Sequence, residues 1–368
     1  MRTEIAEQPA ALRATIDALL PRAAEAKALA RDTRQVLFIA RGTSDNAAVY
    51  GSYLIQAHAG RLATLASPSI ATTYRSRVDL TGVLAVALSQ SGRTEEIIET
   101  VSWARDCGAR TLAITNGAAS PLSQAADVAF VTQAGAERAV PATKTFTTQL
   151  AALAVLAIGL GADLDPGQLR EVPGAIEEML ANANAAGANA NANAAGANAA
   201  GAGTGTGTGA EASDFEQIVE DLAGVQGVIV SGRGLAYSAA LELALKLKEA
   251  CYLRAMGISY ADLLHGPIAV VDASTPAIVV AANCGPTLDG TVDLARRVTG
   301  AGARAYAIGG GARLASASTR ALPGPALPEW LAPIGLIVPG QLLTEALSRR
   351  LGLDPDSPRG LSKITQTG

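Results

Sequence analysis

Three short stretches carry residue types that can do chemistry. The first, Ser89-Gln-Ser-Gly-Arg-Thr94, gathers three hydroxyls and a glycine directly after an apolar run. Ser and Thr hydroxyls beside the exposed N–H groups of a helix start form an anion cradle that needs no bound cation. A second turn, Gly42-Thr-Ser44, follows another apolar run and offers Thr43 and Ser44 to the same anion. Residue type alone leaves a plainer alternative open, in which Ser89 and Ser91 are N-caps of a tight turn. The second stretch is Lys246-Leu-Lys-Glu249, with His265-Gly-Pro267 sixteen residues on. Lys246 and Glu249 are three apart and share one helix face. A carboxylate on an otherwise apolar helix reads as a tuned general base, and a loop histidine as its acid–base partner. An ordinary ion pair and a loop-capping histidine fit the same residues. The third stretch is the tail Asp356-Ser-Pro-Arg-Gly-Leu-Ser-Lys363, which would bring an amine to a site if it folds over one.

The elements that must position these residues alternate. Val36–Ala40, Val83–Leu88, Thr111–Thr115 and Val128–Val131 are apolar runs of strand length, separated by amphipathic stretches such as Arg93–Cys107. Gly227–Val230, Ala277–Ala282 and Ala303–Ile308 repeat the pattern further on, with a strong helix over Leu235–Arg254. Continuous apolar strands alternating with helices predict parallel sheets covered on both faces, an α/β architecture. The turns Phe38-Ile-Ala-Arg-Gly-Thr-Ser44 and Ile229-Val-Ser-Gly-Arg-Gly-Leu235 are alike, which predicts two copies of one fold. In such sheets ligands sit beyond the carboxyl ends of the strands, where the hydroxyl turns lie. Between the halves, Ala181–Ala210 uses only Ala, Asn, Gly and Thr and carries no charge, so a flexible linker or surface insertion is expected.

Composition narrows the classes of function. The 368 residues suffice for two ordinary domains, and a net charge of −4 argues against binding nucleic acid or a membrane surface through bulk positive charge. The three cysteines, Cys107, Cys251 and Cys284, have neither metal nor disulfide spacing and suit a reducing compartment. His58 and His265 are too isolated for a histidine-based metal site. The first ten residues contain no apolar h-region, and Leu150–Leu160 is too short to span a bilayer, so a soluble cytoplasmic protein is expected.

Taken together and in order, the motifs resemble the double sugar-isomerase (SIS) domain family, similar to the isomerase half of glucosamine-6-phosphate synthase and to stand-alone deaminase and isomerase relatives. The matching pieces are Glu4-Ile-Ala-Glu-Gln-Pro9, Arg41-Gly-Thr-Ser44, Ser89–Thr94, Val140-Pro-Ala-Thr-Lys-Thr-Phe-Thr-Thr-Gln149, Ser231-Gly-Arg-Gly234, Leu241–Glu249, His265-Gly-Pro267 and Pro358-Arg-Gly-Leu-Ser-Lys363. The resemblance implies two tandem SIS domains, each a flavodoxin-like parallel sheet flanked by helices. It implies an N-terminal helical segment at 1–30, SIS domains at 31–165 and 214–350, a helix and linker at 166–213, and a tail at 351–368 over the active site.

By the same resemblance, the phosphate of a hexose or hexosamine 6-phosphate rests on Ser89, Gln90, Ser91 and Thr94, with Thr43 and Ser44 near the sugar. Glu249 shuttles a proton between C1 and C2 of the open-chain sugar, and Lys246 sits beside it. His265 opens the ring and is lent by the other subunit of a homodimer. Lys363 contacts the open-chain sugar and can form an imine with its carbonyl. No cofactor or metal is implied. Arg41 stands where the synthase-like pattern tends to have Cys, and Ala142 where a Ser is usual. With no glutaminase Cys near the start, the expected reaction is glucosamine 6-phosphate plus water giving fructose 6-phosphate plus ammonia. A related phosphosugar isomerase or fructosamine-phosphate deglycase, a glutamine-independent aminotransferase relative, and a non-catalytic sugar-phosphate sensor are the alternatives. The apolar helix Thr147–Leu160 is expected to face a dimer partner.

Overall fold

The computed structural model describes residues 1–199 and 212–363, with the backbone alone over 184–199. Ten strands build two five-stranded sheets. In the first, β1 (Gln35–Ile39), β2 (Leu62–Leu65), β3 (Val83–Ser89), β4 (Arg110–Thr115) and β5 (Val128–Val131) lie in the order β2-β1-β3-β4-β5. In the second, β6 (Gly227–Gly232), β7 (Arg254–Ser259), β8 (Ala277–Ala281), β9 (Ala305–Gly309) and β10 (Arg320–Leu322) lie in the order β10-β9-β8-β6-β7. Every pairing is parallel, for example Val36 opposite Leu84 and Ile229 opposite Ala277. Numbered within its own half, each sheet has the order 2-1-3-4-5 of flavodoxin-like folds, so the expectation of two copies of one fold holds. Residues of β3, β8 and β9 are buried on both faces, which explains their unbroken apolar runs.

The seven strands read from sequence are present within one or two residues at each end. Three were not read: β2, β7 and β10. All three are edge strands with part-exposed residues, and an edge strand need not carry the apolar run that marks a central one. The helix expected over Leu235–Arg254 runs Tyr237–Cys251, because Tyr252 turns left-handed at φ 56° and Arg254 opens β7. Helix Pro166–Ala199 departs from the linker expectation over 181–199, where eleven of nineteen residues are alanine. Alanine is the strongest helix former and here outweighs the interspersed Asn and Gly. The rest of that stretch, 200–210, lies outside the described residues.

The helix Lys144–Gly159 requires a correction. Every residue from Lys144 to Ala157 is buried within this one chain, among helices Gln8–Leu19, Ala23–Leu29 and Thr43–Ala59. An all-round apolar helix is a buried helix, and this one is buried without any second copy. Its apolar surface therefore gives no support to a dimer. Helix Thr43–Ala59 in turn packs against Tyr237–Cys251 of the second half, and one hydrophobic core runs through both halves. Smaller apolar clusters fill the outer face of each sheet.

The close approach of Lys144–Gly159 to Ala23–Leu29 depends on Gly159, where an added Cβ would lie 2.6 Å from the carbonyl oxygen of Ala23. Gly159→Ala is expected to lose about 1–2 kcal/mol in urea unfolding, because backbone overpacking outweighs the gain in helix propensity. A variant as stable as the parent would show that the two helices can slide apart freely.

Candidate active site

In a sheet of order 2-1-3-4-5 the crevice opens between the first and third strands, at their carboxyl ends. Here those ends are the turns after β1 and β3, and both lead directly into helices. Gly42 caps Thr43–Ala59 with φ 56°, and Thr94 caps Glu95–Asp106 without using its side chain on the helix. Two helix N-termini thus face one cavity of about 340 Å³, lined among others by Thr43, Ser44, Ser89, Gln90, Ser91 and Thr94. The turn itself is set by its serines: Ser89 Oγ accepts from the Gly92 amide at 3.2 Å and Ser91 Oγ from the Arg93 amide at 3.2 Å. Neither serine is an N-cap of the following helix, so the N-cap alternative does not apply. Gly92 is obligatory, since its φ is 63° and a Cβ would fall 2.2 Å from Ser120 Oγ. Ser44 is held deeper, accepting from Gln149 Nε2 at 3.0 Å.

The opposite wall comes from the second half. Lys246 and Glu249 line the same cavity. Lys246 is 1% exposed and pairs with Glu249, which is 23% exposed, and at 3.3 Å with Glu242, which is fully buried. Burial alone would lower the Lys246 pKa, but the carboxylates of Glu242 and Glu249 outweigh it and hold the amine above its ordinary value. Burial raises the Glu242 carboxyl, against the lowering effects of Lys246, Asn46 and Thr43. Glu242 accepts from Thr43 Oγ1 at 2.9 Å and Asn46 Nδ2 at 2.8 Å, and Lys246 Nζ donates to Thr43 Oγ1 at 3.2 Å. Sequence reasoning missed Glu242, although the signal was there. Glu242 lies four residues before Lys246 and seven before Glu249, on the same helix face.

The tail closes the third side. Leu361, Ser362 and Lys363 line the cavity with Val140 and Ala142. Lys363 Nζ donates to Glu137 Oε2 at 2.7 Å and to the Ala139 carbonyl at 2.7 Å. Glu137 was also missed, and it lies in an irregular segment where no periodicity marks it. Arg41 stands at the rim and makes a two-pronged pair with Glu96, at 2.9 and 2.7 Å. His265 is the one expected site residue that does not join the others. It is exposed, follows the short helix Tyr260–Leu264, and is not among the cavity residues. Among the described residues no group of three or more His, Cys, Asp or Glu is placed to hold a metal ion, and no helix is long and apolar enough to cross a membrane.

Ten of the eleven expected site residues therefore surround one cavity, which combines hydroxyls and helix N-termini at one end with a carboxylate and two amines at the other. Such a set can hold an anion as a remote handle while a proton moves at the other end of the ligand. The SIS domain pattern matches residues 29–159 and 221–329. The chain is 33% identical, over 99% of its length, to the isomerizing glutamine–fructose-6-phosphate aminotransferase of Acidithiobacillus ferridurans, and spans 58% of the length of that relative. The solved C-terminal domain of glucosamine-fructose-6-phosphate aminotransferase from Francisella tularensis is 29% identical, with a TM-score of 0.78, and the match covers 97% of each chain. The glucosamine-6-phosphate deaminase of Thermotoga maritima shares the fold at 21% identity, with a TM-score of 0.75 and 99% of each chain covered.

Removing one member of a buried ion pair strands the other. Glu242→Ala is expected to cost about 3–5 kcal/mol in urea unfolding at pH 7, and the paired replacement Glu242→Leu with Lys246→Met appreciably less. A double variant as unstable as the sum of its parts would show that the two side chains act independently.

Proposed function

The chain belongs to the SIS domain family, and on that premise we propose that it converts glucosamine 6-phosphate and water to fructose 6-phosphate and ammonia. The observation that carries this reading is the single cavity shared by the Ser89–Thr94 turn, the Lys246–Glu249 pair and the Lys363 amine. The phosphate rests on the hydroxyls and amides of the turn and at the N-terminus of Glu95–Asp106. That fixes the far end of the sugar and leaves C1 and C2 between Glu249 and Lys363.

His265, exposed and away from this cavity, opens the ring of a sugar bound in a second copy of the chain, moving the proton of the O1 hydroxyl to O5. Glu249 then takes the C2 proton of the open-chain amino aldehyde and delivers it to C1. One carboxylate serves both carbons because they are adjacent and presented on one face. The Lys246 ammonium compensates charge on the sugar oxygen while the enol is present. One proton of the substrate ammonium passes to O1 in the same step, so the product of this transfer is a C2 iminium bearing a C1 hydroxyl. Lys363, once its cavity-facing proton has gone to water, adds to C2 as the free amine; that nitrogen passes a proton to the departing one and ammonia leaves, and water then breaks the lysine imine, releasing the ketose and restoring the amine. A second reading runs the same steps backwards, with ammonia and fructose 6-phosphate as reactants. It is favoured by the names of the relatives, which are aminotransferases.

Glu249→Gln is expected to keep sugar-phosphate binding, lose at least about a hundredfold in turnover and stop exchange of the C2 proton with deuterated water. Exchange at the parental rate in this variant would return Glu249 to a structural ion pair. Ser91→Ala should chiefly weaken binding of the phosphate. Ammonia release from a panel of hexosamine 6-phosphates, against ammonia uptake with fructose 6-phosphate, separates the two directions. Activity recovered on mixing inactive His265→Ala and Glu249→Gln chains is expected if the histidine is lent between copies; a mixture that stays inactive after verified subunit exchange rules the loan out.

A further inference from the structure

We propose that Glu137 is the positioning residue for Lys363, holding the tail amine at the edge of the cavity and setting the point from which it acts. The inference deepens the function proposed above and rests on it for the use of Lys363 in the reaction.

Glu137 lies between β5 and helix Lys144–Gly159, and its carboxylate is completely buried. It does not line the cavity, so it reaches the sugar only through another side chain. The carboxylate is fixed from the protein side before the tail is considered. Oε1 accepts from the Thr143 amide at 2.9 Å, the Thr145 amide at 3.1 Å and Thr143 Oγ1 at 3.4 Å. Oε2 accepts from Thr145 Oγ1 at 2.6 Å. Two of these donors are backbone amides at the start of Lys144–Gly159, where the helix dipole favours a negative charge. Burial alone would raise the carboxyl, but the Lys363 charge and hydrogen bond, helped by Thr145 and Thr143, hold it below its ordinary range. It is thus a built anion, and Lys363 is its counter-charge.

The tail does not need this contact merely to dock. The Val140 amide donates to the Asp356 carbonyl at 2.9 Å, and the Arg359 amide to Tyr252 Oη at 2.8 Å, with the Arg359 guanidinium stacked 4.3 Å from the Tyr252 ring centre. What Glu137 adds is definition at Lys363 itself. An ammonium has three donors, and losing one proton leaves a lone pair at that position. Glu137 and the Ala139 carbonyl take two, which leaves one for the cavity that Lys363 lines.

The test has two arms. In the ligand-free protein, reductive methylation of Lys363 with formaldehyde and a borane, read by mass spectrometry of its peptide, should run about tenfold faster in Glu137→Gln, the equivalent of one lost charge-assisted hydrogen bond. An unchanged rate overturns the proposal. In turnover of glucosamine 6-phosphate, Glu137→Gln should lower kcat with little change in KM, and this loss should vanish in a Lys363→Ala background. Additive losses would give Glu137 a general structural role and overturn the proposal. Lys363→Ala with parental turnover would instead remove Lys363 from the reaction and the proposal with it, while the methylation arm still reports the clamp, so the two failures are distinct. If Glu137→Gln does not fold, Glu137→Asp keeps the charge but draws the carboxylate back by one methylene and should speed methylation severalfold; no change there counts equally against the proposal.

Discussion

A lysine ammonium buried to 1% exposure among carboxylates is the constraint on which the rest of this structure turns. Lys246 is held charged in the interior by Glu242 and Glu249, and the buried Glu242 is in turn satisfied by the donors Thr43 and Asn46. Those donors belong to the first half of the chain and the lysine and glutamate to the second. The polar cluster therefore specifies how helices Thr43–Ala59 and Tyr237–Cys251 face each other, where apolar packing alone would tolerate small slips. The same turn that supplies Thr43 supplies Ser44, and the same helix that supplies Lys246 supplies Glu249. Orienting the halves and assembling the cavity are one event.

The anion end of the cavity works by a different economy. It is lined by hydroxyls, amides and helix N-termini, and the cation at its rim, Arg41, is already paired with Glu96. Fixed dipoles of this kind need no reorganisation when a dianion arrives. The burden then falls on backbone geometry, which is why Gly92 must be left-handed and have no side chain.

Much of this was legible in the sequence, and the exceptions share a cause. Central strands such as β3 and β8 read clearly because burial on both faces leaves an unbroken apolar run; β2, β7 and β10 did not, because an edge strand is under no such pressure. The hydroxyl turns and Lys246–Glu249 stood out as candidates because their residue types are local, but residue type alone left N-cap and ion-pair alternatives open, and it was the ordered set of motifs that gave them roles. Glu242 has the right spacing but was passed over, since spacing alone does not reveal that it is buried. Glu137 could not be found at all from pattern, because its partners at Thr145 and Lys363 are brought to it by the fold. The apolar helix expected over Thr147–Leu160 was assigned to a dimer face, because what covers it, the chain's own helices, is a tertiary fact.

The cavity walls come from residues 41–44, 89–94, 246–249 and 361–363. Contacts so far apart along the chain are paid for in loop-closure entropy before they return any energy, and parallel sheets are slow to form for the same reason. The first sheet and its Ser89–Thr94 turn draw on contiguous sequence, whereas the other walls of the cavity need the second sheet and the tail. A chain with only its first half folded would hold the Ser89–Thr94 turn beside an exposed apolar helix face, the kind of species that either recruits its own missing half or aggregates through that of a neighbour.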